Sequence, residues 1–179
     1  DFVLSLPQQP GYGRDETGLG SFRYCTAGSF ILGQALERAS GEPIDQYVQR
    51  RLFGPLGIER AQWDRSPSGE AQTGGGLELT ARDLGKLIRL IRDDGVYEGE
   101  RILSSAWAKA MKTRWREAFM GMGYGYQMWN RRYETPCGGF DAWFMAGNGG
   151  NHILSFEEQD LAIVVTRERY NTPTMHPET

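Results

Sequence analysis

Ala142–Glu168 reads AWFMAGNGGNHILSFEEQDLAIVVTRE, and its punctuation decides the fold. Leu161-Ala-Ile-Val-Val165 is short and β-branched, which suits a strand buried on both faces better than a helix. Glu157-Glu-Gln-Asp160 is a tight polar connection back to a preceding strand, Asn151–Phe156. Between that strand and the one before it lies Gly147-Asn148-Gly149-Gly150-Asn151. Glycine weakens a strand unless the backbone must bend or something must approach it closely. Two readings of the glycines stay open: a strand edge kept clear for a ligand, or an ordinary β-bulge or turn.

Working outward, 179 residues can bury a substantial core and are read as a single region, 1–179, of one domain. The net charge of −3, with acidic and basic residues interleaved throughout, gives no basic footprint for nucleic acid. No apolar run reaches the length of a membrane span and no signal-peptide pattern opens the chain, so a soluble protein is expected. The compartment, cytoplasmic or periplasmic, is left open. Cys25 and Cys137 are too few for a disulfide framework, although one bridge between them stays possible. Cys25 is read as a small buried thiol, not as a nucleophile served by His152. With only His152 and His176 besides, no zinc site is expected, and Gly74–Gly76 lacks the Lys of a phosphate loop. No other cofactor is expected either. The chain starts at Asp1 without an initiator Met, and is read as a processed chain or a fragment.

Residues 1–20 are rich in Pro and Gly and read as a short helical turn and a surface loop. Residues 21–113 are mainly helical. Ala27, Phe30, Ile31, Ala35, Leu36 and Ala39 recur at helical spacing in a core-facing helix that Gly41 ends. Pro43 opens a second short helix over Ile44–Leu52. Thr80 with Asp83 starts a third, whose stripe is Leu84, Leu87, Ile88 and Ile91 and whose basic residues form a solvated face. Val96–Leu103 reads as a small hairpin, and Ser104 or Ser105 caps a helix running to Lys112. Residues 122–169 are antiparallel strands, the first of them Tyr124–Trp129, and the tail after Arg169 frays or begins a further helix. The tryptophans are core or pocket wall, not sugar platforms. Helices first and strands last make an α+β fold.

A resemblance becomes specific once the motifs are set in order. Phe22-Arg-Tyr24-Cys-Thr26 enters the first helix, Leu52-Phe-Gly-Pro-Leu-Gly57 follows, then Gly74-Gly-Gly-Leu77 with Thr80-Ala-Arg-Asp-Leu84, Tyr124-Gly-Tyr126, and Gly147-Asn-Gly-Gly150. This order resembles the C-terminal portion of the serine β-lactamase-related hydrolases: class C β-lactamases, penicillin-binding-protein-like D,D-peptidases, esterases and 6-aminohexanoate-dimer hydrolases. The resemblance implies acyl transfer from a small-molecule amide or ester. In that family a Ser of a Ser-x-x-Lys motif attacks the carbonyl, while a Tyr and the Lys share proton transfer. It implies the proton-transfer role for Tyr24, a substrate-binding place for Thr26, and a strand triad at Asn148, Gly149 and Gly150. Asn151, the next residue, would give one backbone N–H to the oxyanion hole.

Three departures qualify this. Thr26 stands where the family has Asn, and Asn148 where it has a cationic residue or His, which argues against an efficient penicillinase. The three lysines, Lys86, Lys109 and Lys112, follow Asp83, Ala106 and Lys109 at the required spacing, so no Ser-x-x-Lys is present. The expected function is therefore the C-terminal part of a serine hydrolase, inactive without an N-terminal segment. The alternative is a non-catalytic module that binds a peptide-like ligand or a partner protein. In either case the apolar strand face is expected to need that N-terminal segment, or self-association, to cover it.

Overall fold

The computed structural model describes residues 22–168 and residue 170. The readings made for residues 1–20 and for the tail after Arg169 lie outside these. Helix α1 (Thr26–Ser40) ends at Gly41, whose left-handed φ of 75° lets its N–H bond to the Glu37 carbonyl. Helix α2 (Ile44–Val48) runs on into a π-helical turn, Gln49–Phe53. A two-residue ladder joins β1 (Gln62–Trp63) to β2 (Leu77–Glu78). Thr80 caps helix α3 (Ala81–Arg92) by accepting from the Asp83 N–H, as the sequence indicates. Strands β3 (Val96–Tyr97) and β4 (Glu100–Arg101) form the expected hairpin. Ser104, accepting from the Trp107 N–H, caps α4 (Ser105–Lys112).

The sheet that follows is a six-stranded antiparallel meander, ordered β10-β9-β8-β7-β6-β5. Its members are β5 (Arg116–Glu117), β6 (Gly123–Gly125), β7 (Met128–Thr135), β8 (Gly138–Gly147), β9 (Asn151–Phe156) and β10 (Leu161–Val165). Alternation gives it two faces. Met128 and Ile153 point to the inner face, where Ile88 and Ile91 of α3 pack on them with Leu84, Met111, Trp143, Met145 and Val164 around. A second core under the π-helical turn joins Phe53, Leu56 and Ile58 to Leu90, on another side of α3. Helix α3 thus holds the sheet and the helical half together.

On the outer face one residue from each of β6 to β10 lines up directly across the sheet: Tyr124, Trp129, Phe144, Leu154 and Ile163 are successive register partners. The row is covered at its aromatic end by Phe22 and, among the described residues, left open at the other. Ile163 is 37% exposed and Leu161 45%.

Four expectations are corrected. Strand β10 is not buried on both faces, because among the described residues it is the sheet's edge and no layer covers its outer-face residues. Helix α1 is not core-facing along its stripe: only Gly33 is buried, and Leu36 is 45% exposed. Tyr124–Trp129 is two strands, since Tyr126 and Gln127 both adopt left-handed φ (46° and 69°) and turn the chain between β6 and β7. Cys25 is exposed, as is Cys137, and both are free thiols. They sit at opposite ends of β7, Cys25 beside the Tyr24 that packs on Trp129 and Cys137 in the turn after Thr135.

Candidate active site

Tyr24 is the second residue before α1, where Cys25 holds the extended backbone of an N-cap. Its ring lies 5.7 Å from that of Trp129 and 6.4 Å, edge-on, from that of Tyr124. Phe22, two residues earlier, packs at 4.8 Å on Tyr124 and 5.9 Å on Trp129. The extended segment entering α1 therefore lays alternate aromatic rings on the outer face of β6 and β7. Tyr24 itself remains 55% exposed.

Thr26 opens α1, and the loop before β2 leans on it. A side chain at Gly74 would stand 2.6 Å from the Thr26 carbonyl oxygen, so the chain approaches the start of α1 closely at Gly74. Thr73 reinforces the contact by donating its hydroxyl to the Ser29 carbonyl. Beside Thr26 a polar hollow of about 390 Å³ is lined by Asp64, Arg65, Gln72 and Gly75.

The glycine-rich stretch is a hairpin turn. Strand β8 ends at Gly147, β9 begins opposite it at Asn151, and the Gly150 N–H donates to the Gly147 carbonyl. Gly149 and Gly150 have φ of 93° and 87°, which side-chain-bearing residues rarely adopt. The Asn151 carboxamide fixes the turn from both directions: its Nδ2 donates to the Asn148 carbonyl and its Oδ1 accepts from the Arg167 N–H. Of the two readings left open by the sequence, the turn is the one observed, and Asn148, Gly149 and Gly150 occupy its tip instead of a strand.

Because β7 begins where β8 ends, this turn, the β6–β7 turn and Tyr24 all lie at one end of the sheet. The hollow beside Thr26 is lined by neither Tyr24 nor the turn.

A group at this end escaped the sequence reading. Gln127 accepts a 2.8 Å hydrogen bond from the Tyr124 hydroxyl and a long one, 3.5 Å, from the Ser29 hydroxyl of α1. Burial, and after it the neighbouring Tyr24, push the Tyr124 phenol up to about 12, so it serves as a neutral donor at all ordinary pH. On the other side of the turn, Tyr126 lies between Trp107 at 4.7 Å and Trp115 at 5.8 Å. Aromatic residues two apart in Tyr124-Gly-Tyr126 were visible in the sequence. Nothing there marked Gln127.

Comparison with known proteins places these observations in context. The family model described as Beta-lactamase matches residues 17–178. A 6-aminohexanoate-dimer hydrolase of Paenarthrobacter ureafaciens is 31% identical over 99 residues, 55% of this chain and 25% of that protein. Penicillin-binding protein 4 of Amycolatopsis lactamdurans is 27% identical over 143 residues, 60% of this chain and 37% of that protein. The chain thus spans well under half the length of these curated relatives. A Bacillus anthracis structure assigned as a 6-aminohexanoate-dimer hydrolase superposes with a TM-score of 0.73 at 21% identity, over 90% of this chain and 46% of its own.

Proposed function

The chain belongs to the β-lactamase family, and from that premise we propose that it is the C-terminal part of an acyl-transfer hydrolase acting on a small-molecule amide or ester. Tyr24 is the proton-transfer residue in this reading. The backbone N–H groups of the Asn148–Asn151 turn, that of Asn151 among them, are the candidates for stabilising the developing oxyanion, and Thr26 with Asn148 contacts substrate. The nucleophilic Ser and its Lys come from a segment N-terminal to Asp1. One observation carries the reading. An exposed tyrosine ring and a glycine turn, far apart in sequence, lie at the same end of one sheet, with the exposed outer face beside them.

The chemistry is consistent with what surrounds Tyr24. A phenol acts as a base only where cations lower its affinity for a proton, and the lysine of the upstream segment would supply that charge. The lack of a cationic residue at Asn148 removes an attractor for a substrate carboxylate, so esters and neutral amides suit the site better than penicillins.

The test is hydrolysis of a p-nitrophenyl ester and of a chromogenic cephalosporin by the full-length protein, by its Tyr24→Phe variant and by the 179-residue chain alone. Full-length protein should turn over the ester and lose at least about a hundredfold in kcat on Tyr24→Phe, and the chain alone should be inactive. Activity of the full-length protein that survives Tyr24→Phe would overturn the assignment of Tyr24. Activity of the chain alone that disappears with Tyr24→Phe would put the nucleophile within these residues.

A further inference from the structure

The β6–β7 turn has the two-residue length at which Asn-Gly or Gly-rich pairs are favoured, because both central residues need positive φ. Here they are Tyr126 and Gln127. Such conformations persist where the surroundings over-determine them, and they gather at functional sites. The surroundings do so from both flanks. Tyr126, half-exposed, makes ring contacts with two indoles, and the Gln127 oxygen takes a short hydroxyl donor from β6 and a long one from α1. With Oε1 so engaged, the Nε2 end of the carboxamide is turned away from both hydroxyls, and it finds no acceptor among the described residues. Gln127 is exposed, and the Tyr124 that donates to it is also met edge-on by the Tyr24 ring at 6.4 Å.

We propose that Gln127 is a substrate-binding residue whose Nε2 donates a hydrogen bond to a second carbonyl of the substrate, separate from the one attacked. The turn keeps an unfavourable backbone so that a donor, held by its own oxygen, stands beside the proton-transfer tyrosine. A glycine in its place would suit the backbone better and would carry no donor. The substrate class this selects is an acyl group bearing an additional amide or ester carbonyl, as in an N-acylated amino-acid ester, in preference to a plain alkanoate. The inference rests on the hydrolase reading above, and binding measurements separate the two.

The experiment uses the full-length protein and two variants. Gln127→Gly relieves the backbone and deletes the side chain, whereas Gln127→Glu keeps oxygen acceptors for Tyr124 and Ser29 but removes the donor. The readouts are the ratio of kcat/KM for the p-nitrophenyl ester of N-acetylglycine over that of butyric acid, and binding of N-acetylglycinamide followed by indole fluorescence. Both variants should lower the ratio about tenfold and weaken binding by a similar factor, the loss expected for one neutral hydrogen bond. The thermal midpoint of Gln127→Gly should not fall. If Gln127→Glu matches the wild type, or both esters lose equally, Gln127 only braces the turn and the proposal is overturned. If no ester is turned over by wild type, yet N-acetylglycinamide binds in a Gln127-dependent way, the hydrolase reading fails and the binding role stands. If N-acetylglycinamide binds wild type and both variants equally, the binding role fails whatever the turnover.

Discussion

Gly33→Ala tests how closely α1 is seated on the loop that carries Gly74–Gly76. Gly33 is the one buried residue of α1. A methyl group there would collide with the Thr73 hydroxyl oxygen and stand 2.6 Å from the Thr73 methyl and 2.8 Å from its Cβ. Two effects oppose each other. In a helix interior Ala is better than Gly by about 1 kcal/mol. Against this, forcing a methyl into a filled contact costs about 1–3 kcal/mol, and displacing Thr73 forfeits its hydrogen bond to the Ser29 carbonyl at 2.9 Å, about 1 kcal/mol more. The clash involves a Cβ as well as a rotatable end, so Thr73 cannot escape by changing rotamer alone. The net expectation is a loss of about 1–3 kcal/mol, by the same estimates. Urea unfolding of the full-length protein, followed by tryptophan fluorescence, measures it. The double variant Gly33→Ala with Thr73→Gly should recover most of the loss, because the obstruction is gone and the helix preference remains. A Gly33→Ala protein as stable as wild type, or more so, would show that α1 and the loop are not in the contact described, and the position of Thr26 beside Gly74 would lose its support.

Three further outcomes follow from other parts of the molecule. The Asp83 carboxyl is held below its ordinary range, first by the Lys86 ammonium and then by the Thr80 hydroxyl. Its contribution is therefore present above the unfolded-state value near about 4 and is lost as pH falls through the lower folded-state value; acid titration of stability should be shallower below about pH 4 in Asp83→Asn, and an unchanged slope would remove Asp83 from the account. Met128 is fully buried beneath α3, so Met128→Ala should cost about 2–5 kcal/mol, readable as a lower denaturation midpoint, and a loss below about 1 kcal/mol would mean that α3 does not pack there. Ile163→Lys, on the open end of the outer row, should leave stability within about 0.5 kcal/mol while reducing self-association of the isolated chain in light scattering after size exclusion; a monomer before and after the substitution would show that this face needs no cover.

What could be read from the sequence was local. Thr80 and Ser104 each precede an apolar helical stripe, and hydroxyls at that place satisfy helix N–H groups within one turn, so α3 was legible to its first residue and α4, whose cap could be Ser104 or Ser105, to within one. The β9–β10 hairpin was legible from the polar break Glu157–Asp160 between apolar runs, whereas the glycine-rich stretch before β9 was not resolved between a turn and a strand edge. What failed depended on something outside the window. Leu161–Val165 has the composition of a doubly covered strand, but coverage is decided by whatever packs above it, and among the described residues the outer layer consists of Phe22 and Tyr24 at the other end of the row. The same holds for Leu36 on α1. The β6–β7 turn was missed for a different reason: neither Tyr126 nor Gln127 carries a turn signal, and the turn is imposed by Trp107, Trp115, Tyr124 and Ser29, which lie up to 98 residues away. At the candidate site the residue types were visible, whereas the meeting of Tyr24 with Trp129 is tertiary and could only be supposed.

The order of the large sheet bears on how the chain acquires its shape. Every one of its ladders joins strands that are neighbours in sequence, and four of the five connections span two to four residues. Closing such short loops costs little chain entropy, so each strand can zip onto its predecessor within the microseconds typical of hairpins. The slow search is left to long-range contacts, among them the seating of α3, whose Ile88 must find Ile153 across 65 positions. Until it does, the apolar inner face of a nearly finished sheet stands open to neighbouring chains, and yield on refolding should depend more steeply on protein concentration than on the temperature at which the strands form.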